Sequence, residues 1–317
     1  MRALITGATG FVGPHLATHL ESEGDDVTGI GHANGPDLLD DDAWKQLVAD
    51  TTPDVIYHLA GFSDVGASWK APRQAFRLNA EGTMSVLEAA RLNNVQRVVL
   101  VSSADVYGIA SPASLPLSED APIQPRSPYG ASKQAAEALA QQYNRGWGLD
   151  VIVVRPFNHI GPGQSPNFFA PAIATKIARA ELAGGGEVTH GDLSPERDFT
   201  DVRDVVRAYR LIATAGRRGA TYNVCSGKAV AMSSILDDLI GAAMVPISTT
   251  PDPELVRPVD LPVLRGSFES LNQDTGWEPS IELQDTLADV LGDARHRITD
   301  VPEAADTTDT TPKDIPS

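Results

Sequence analysis

The sequence predicts an α/β fold, a doubly wound parallel sheet followed by a smaller C-terminal lobe, and three observations carry that prediction. Short β-branched runs alternate with helical patterns through the N-terminal half, as strands joined by crossover helices do. Runs such as Val98-Val-Leu-Val101 and Val151-Ile-Val-Val154 are apolar at every position, which suits strands buried on both faces. From Phe157 onward the texture changes, and Gly and Pro become dense at Gly161-Pro-Gly163, Pro166, Pro171 and Gly184-Gly-Gly186.

Taken in order, strands are expected near 2–6, 26–31, 54–59, 96–103 and 149–155, with helices near 11–23, 40–50, 71–93 and 128–147. Ser127 is a good N-cap for the last of these, and Pro128 suits a first helical position. The second half adds helical segments near 201–214 and 232–243. Residues 1–156 therefore read as a dinucleotide-binding domain to which 199–226 returns, and 157–298 as a substrate-binding lobe. Residues 299–317 are rich in Thr, Asp and Pro and hold one Ile and one Val, too little apolar surface to offset chain entropy, so they read as a disordered tail.

A chain of 317 residues buries a large core. Its 42 acidic and 25 basic residues give a net charge of −17, which repels nucleic acid and anionic membrane surfaces. Six of the basic residues are Lys and nineteen Arg; the acidic, Lys-poor balance fits either a salt-rich cytoplasm or simply an acidic soluble enzyme. The single cysteine, Cys225, allows no intrachain disulfide and lies in an apolar, strand-like run, where a buried thiol is expected. No signal peptide and no apolar stretch of membrane-spanning length is visible, so a cytoplasmic location is expected.

Arg2-Ala-Leu-Ile-Thr6 leads into Gly7-Ala-Thr-Gly10-Phe11-Val12-Gly13 and an amphipathic helix. Glycines at this spacing permit a tight turn, close approach to a pyrophosphate and close helix–strand packing, with the helix N-terminus facing the phosphate. This is a Rossmann-type site. An acid ending the second strand would hold a ribose 2′-hydroxyl; Val27-Thr-Gly-Ile-Gly-His32-Ala33 has none, and His32 is the only cation there. NADP(H) is the expected cofactor, with NAD the alternative. Asp37 and Leu38 are candidates for the adenine, although Asp37, Asp40, Asp41 and Asp42 also read as a solvated charge run. His15 and His19 lie four apart on the first helix without a third ligand, so no metal is expected.

Tyr129-Gly-Ala-Ser-Lys133 places a phenol and an ammonium on one helix face. The ammonium is expected to lower the Tyr129 pKa toward the working range. Val98-Val-Leu-Val-Ser-Ser103 delivers Ser103 to the carboxyl edge of the sheet, where ligands bind. Ser103 then holds a carbonyl, Tyr129 supplies a proton and Lys133 tunes Tyr129 and binds the nicotinamide ribose.

These segments, with His58-Leu59-Ala60-Gly61, Asn79-Ala-Glu-Gly-Thr83, Arg155-Pro-Phe-Asn158 and Arg197-Asp-Phe-Thr-Asp-Val202, resemble the extended short-chain dehydrogenase/reductase family over nearly all of residues 1–298. The resemblance implies a nucleoside-diphosphate sugar as substrate, Leu59, Ala60 and Gly61 along the cofactor phosphates, Asn79 at the nicotinamide side and Asn158 facing substrate. The second lobe is most similar to the branch of GDP-4-dehydro-6-deoxy-D-mannose reductases, whose product is GDP-rhamnose. Arg197 and Arg257 are then diphosphate clamps and Lys176 a further phosphate candidate. Asp105 stands where dehydratases of the family place the carboxylate that removes a C5 proton. A 4,6-dehydratase or a 4-epimerase with retained cofactor therefore remains the alternative, and a dinucleotide-sensing protein without chemistry is a third reading. The family also implies a homodimer, through helices 71–93 and 128–147.

Overall fold

The computed structural model describes residues 1–255 and 262–300. Its first part runs β1 (Arg2–Thr6), α1 (Val12–Ser22), β2 (Asp26–Ile30), α2 (Asp41–Thr51), β3 (Val55–His58), α3 (Val65–Ser68), α4 (Pro72–Phe76), α5 (Gly82–Leu92), β4 (Arg97–Val101), α6 (Pro128–Gln142) and β5 (Val151–Pro156). The remainder comprises β6 (Asn158–Ile160), α7 (Phe169–Ala183), β7 (Gly186–His190), β8 (Glu196–Asp201), α8 (Val202–Ala215), β9 (Thr221–Val224), β10 (Ala229–Ala231), α9 (Met232–Gly241), β11 (Ile247–Pro251), β12 (Val263–Leu264), α10 (Glu269–Thr275) and α11 (Leu283–Asp300).

Six parallel strands form the main sheet in the order β2-β1-β3-β4-β5-β9. Its consecutive residues face opposite cores, as a pleat requires. Ala3, Ile5, Tyr57, Val99, Ile152 and Val154 pack with α1 and α8. Leu4, Ile56, Val98, Leu100, Val151 and Val153 pack with α2, α5 and α6. This explains the strands' uninterrupted apolar sequence. The chain goes from β1 to β2 on one side and then to β3 on the other, so a crevice opens at the carboxyl ends of β1 and β3.

After β5 the chain leaves this sheet. β8 takes β6 and β12 as parallel partners and β10 as an antiparallel one, and β7 pairs with β11. The chain returns to the main sheet through α8 and β9, then leaves it again at β10. In the second lobe α7, α9 and α11 share a core built on Ile173, Ile177, Leu236, Leu239 and Leu291.

Several elements depart from the expected ones. The helix expected over 71–93 is interrupted by a π-helical turn at Arg77–Glu81, which carries the buried Asn79; such turns often mark functional sites. The helix expected over 128–147 likewise ends in a π turn, Tyr143–Trp147. The strand expected over 96–103 stops at Val101, because Ser103 caps a short 3₁₀ turn (Ala104–Val106), accepting a hydrogen bond from Asp105 N at 3.2 Å. The last helix runs to Asp300, so it takes in the first two residues of the expected tail, and 301–317 lie outside the described residues. Among the described residues no helix is long and apolar enough to cross a membrane.

Candidate active site

A cleft of about 1650 Å³ opens over the carboxyl edge of the main sheet and continues between the sheet and the second lobe. Every catalytic, cofactor or substrate candidate named from the sequence lines it, apart from Asn79, which lies behind its wall, and Arg257, which falls outside the described residues.

The glycine-rich turn has no room for side chains. Gly7 is in the left-handed region at φ 73°, and a Cβ there would come within 2.8 Å of Ala60 N. A Cβ on Gly13 would stand 2.4 Å from the Ala8 carbonyl oxygen. The backbone is thus closed tightly around a concavity at the N-terminus of α1, with geometry and dipole suited to a pyrophosphate. Beyond β2 no carboxylate ends the strand. Asn34 folds back instead, its Oδ1 accepting from Gly31 N at 2.6 Å and its Nδ2 donating to Gly29 O at 3.1 Å. His32 is exposed at the cleft edge, and Asp37 turns its Oδ1 to Leu39 N. The end of β2 thus carries no acid of its own, and Asp37 is the nearest carboxylate on the lining beyond it.

A hydrogen-bond chain ties the turn to the opposite wall. Ala60 N donates to Thr6 Oγ1 (3.1 Å), Thr6 Oγ1 meets His58 Nδ1 (2.7 Å), His58 Nε2 meets Thr83 Oγ1 (3.2 Å), and Thr83 donates to Asn79 O (2.6 Å). Thr83 spends its proton on Asn79, so His58 carries its own on Nε2 and accepts at Nδ1 from Thr6. Burial, with the Lys133 charge adding to it, holds His58 neutral at a pKa of about 3. Asn79 in turn clamps Phe62, accepting from its N at 2.8 Å and donating to its O at 3.1 Å, and also donates to Ser132 Oγ at 2.8 Å. Ser132 donates to Tyr129 O at 2.7 Å. Asn79 therefore holds the loop after β3 against α6.

Tyr129 and Ser103 adjoin at the cleft floor, and Ser103 and Asp105 are both close enough to act on the phenol. Burial pushes the Tyr129 pKa up, the Asp105 charge pushes it further, and Ser103 opposes them. This corrects the expectation that Lys133 lowers it. The Lys133 ammonium donates to Val101 O at 2.9 Å and stands 5.9 Å from the Tyr129 ring centroid. Lys133 is itself shifted down to about 8 by burial, with Glu137 pulling the other way. Tyr129 is consequently a protonated phenol across the physiological range, ready to donate.

Beneath these groups lies a polar network that the sequence reading did not anticipate. Arg155 makes a bidentate pair with Glu137 (3.0 and 2.7 Å), Ser102 Oγ donates to Glu137 Oε1 at 2.6 Å, and Arg155 also reaches Tyr107 Oη at 2.9 Å. Burial works against the Arg155 charge, yet the Glu137 hydrogen bonds leave its pKa raised.

On the lobe side, Asn158 opens β6 and His159 stacks on Phe11, with ring centroids 5.9 Å apart and planes at 5°. His159 Nδ1 donates to Phe157 O at 3.0 Å, and burial lowers its pKa, so its Nε2 is an acceptor. His159 carried no periodic or spacing signal beyond its place next to Asn158. His15 Nε2 donates to Pro162 O at 2.8 Å, a second contact between α1 and the lobe. Lys176 donates to Thr189 O (2.6 Å) and Oγ1 (2.8 Å), and Arg197 is buried with NH1 on Glu196 O at 2.8 Å. The carboxylates in Arg197-Asp-Phe-Thr-Asp-Val-Arg-Asp204 are fasteners. Asp198 accepts from Ser226, Gly227 and Gly266, Asp201 from Arg203 and Thr286, and Asp204 from Ser280 and Ile281. Cys225 is buried and its thiol pKa is pushed up by that burial.

The chain is similar to known proteins over nearly its whole length. GDP-6-deoxy-D-mannose reductase of Pseudomonas aeruginosa is 36% identical over 303 residues, covering 94% of this chain and 98% of its own. UDP-glucose 4-epimerase of Mycolicibacterium smegmatis is 33% identical, covering 91% and 96%. The solved structure of RMD from Pseudomonas aeruginosa complexed with NADPH superposes with a TM-score of 0.87 at 35% identity, over 94% of this chain and all of that one. The model of the NAD-dependent epimerase/dehydratase family matches residues 3–225, and the chain belongs to that family.

Proposed function

We propose that this protein reduces the 4-keto group of GDP-4-keto-6-deoxymannose with NADPH, giving GDP-rhamnose. The observation that carries the reading is a buried, protonated Tyr129 beside Ser103 at the floor of a cleft large enough for a dinucleotide and a nucleotide sugar. Similarity to the reductase over nearly the whole of both chains supports the direction of the chemistry and the GDP-linked substrate class.

The Gly7–Gly13 turn and Ala60–Gly61 would hold the dinucleotide phosphates, and the acid-free end of β2 would receive the 2′-phosphate beside His32. The dinucleotide, when bound, supplies the hydride. Ser103 donates a hydrogen bond to the C4 ketone, and Tyr129 gives its proton to the oxygen as negative charge develops there. Lys133 binds the ribose hydroxyls. Asn158, Lys176 and Arg197 line the sugar and diphosphate end. Asp105 beside Tyr129 favours a second reading, in which a 4,6-dehydratase or 4-epimerase oxidises C4 and recovers its hydride.

We place the enzyme in the cytoplasm as a homodimer. Pairing through the α4–α6 surface is supported by exposed Phe76, Met84, Leu92 and Trp147. The net charge of −17 argues against nucleic acid as a partner.

Incubation with GDP-4-keto-6-deoxymannose and NADPH tests the reading. Loss of absorbance at the nicotinamide band with formation of GDP-rhamnose is expected. No cofactor oxidation, or solvent deuterium entering C5, overturns it in favour of the second reading.

A further inference from the structure

The far half of α6 carries a buried carboxylate with no part in the proposed proton transfer. Glu137 lies four residues beyond Lys133 and eight beyond Tyr129, so all three share one helix face. It is 2% exposed. Its Oε1 accepts from Ser102 Oγ and Arg155 Nε, and its Oε2 accepts from the Arg155 terminal nitrogen. Ser102 is the residue before Ser103, so one carboxylate is bonded at once to the segment carrying Ser103 and, through α6, to the element carrying Tyr129. Arg155 extends the grip. It donates to Tyr107 Oη and Glu119 O and lies 4.9 Å from the Tyr107 ring centroid. Tyr107 donates to Asn223 Oδ1 at 2.7 Å, and Asn223 holds Leu117 O and Ser267 O. A buried ion pair is an expensive way to fill space, since an apolar pair of similar volume packs at no desolvation cost. Its location between the two proton-handling elements points to another use.

We propose that Glu137 is a positioning residue for the Ser103–Tyr129–Lys133 site, fixing the Ser103 segment against α6 and supplying the negative charge that faces the buried Lys133. The kinetic part of this inference rests on the reductase reading above; the electrostatic part does not. The groups around Lys133 are few. Tyr129 and Glu137 lie on its own helix, neutral His58 on β3, and the Val101 carbonyl on β4. Asp105 acts on Tyr129, and Arg155 on β5 is spent on Glu137 and Tyr107. Glu137 is thus the one counter-charge among the described residues that works against the burial of Lys133.

The test is a ¹³Cε NMR titration of lysine-labelled full-length protein, in which six lysines keep the spectrum simple and Lys133→Met assigns the signal. Glu137→Gln is expected to move the Lys133 midpoint, about 8 in the parent protein, to lower pH. It should also lower kcat by about 10-fold, with KM for NADPH and for the sugar nucleotide within about twofold. Because that variant strands Arg155, the pair variant Glu137→Gln/Arg155→Met is measured beside it. The pair variant should recover the parent's melting temperature while the midpoint and kcat stay low. An unmoved midpoint, a pair variant with parental midpoint and kcat, or failure of both variants to fold each overturns the proposal and leaves the ion pair a purely structural one. If the parent protein oxidises no NADPH with this substrate, the reductase reading fails while the titration still decides the role of Glu137 toward Lys133.

Discussion

Replacing Tyr129 by Phe removes one oxygen from the cleft floor and keeps the ring. Tyr129 is 8% exposed, so its packing, which carries the stability, is retained. Losing the hydroxyl's interaction with Ser103 costs at most about 0.5–1.5 kcal/mol net, and relief of a buried phenol's desolvation offsets part of that. For a chain of this size a change near 1 kcal/mol shifts Tm by only about 2–4 °C. The effect on turnover is of another order. Loss of a positioned general acid lowers kcat by about 10²–10⁴-fold, which is about 3–5 kcal/mol of barrier. The assay pairs NADPH oxidation under saturating substrate with a melting curve. A variant retaining kcat within tenfold would refute the role of the phenol. So would a loss of kcat accompanied by a collapse of Tm, because the residue would then be holding the fold.

Other expectations follow from the same geometry. Lys133 titrates near 8 in the fold against 10.5 for the free side chain, so below pH 8 the buried ammonium costs up to about 3 kcal/mol. Between 8 and 10.5 the unfolded chain holds the extra proton and stability rises with pH. Lys133→Met should therefore raise Tm at pH 7 and lose that advantage by pH 10.5, while abolishing turnover; equal Tm differences at both pH values would contradict the shift. Asp105→Asn removes a charge that pushes the Tyr129 pKa up, so the alkaline limb of the kcat profile should move to lower pH; an unmoved limb separates Asp105 from Tyr129. Gly13→Ala places a Cβ 2.4 Å from the Ala8 carbonyl oxygen, backbone that must shift. NADPH affinity measured by fluorescence should weaken by at least about 10-fold, and an unchanged Kd would mean that the turn does not grip the phosphates.

Much of this arrangement was legible in the sequence because it is local. Apolar runs marked β4 and β5, Gly7–Gly13 marked the turn, and Ser127 and Pro128 marked the start of α6, where Ser127 Oγ does accept from Gly130 N at 3.0 Å. The rest depends on what meets in space. α7 and α11 had no clear signature, since α7 buries Ala and Ile against three partners and α11 mixes charge with its apolar stripe. Asn79 could be named from its motif, but the π turn that aims it at Phe62 could not. Neither could the burial of Tyr129 and the nearness of Asp105, which turned the expected shift of its pKa around. Glu137 and Arg155 lie 18 residues apart and meet only once β4, β5 and α6 have assembled.

The route of the chain sets how this scaffold can acquire new substrates. It passes between the main sheet and the second set of strands three times, after β5, before α8 and after β9. Two of those seams adjoin cleft residues: Asn158 follows the first, and Arg197 lies just ahead of the second. Such a lobe is no cassette. Exchanging it by recombination would require several joints to match at once, since α10 packs back on the main-sheet core before α11 rejoins the lobe, whereas a single substitution on the cleft wall disturbs none of them. New sugar preferences on this framework are therefore reached by replacing side chains one at a time, with the covalent weave left intact.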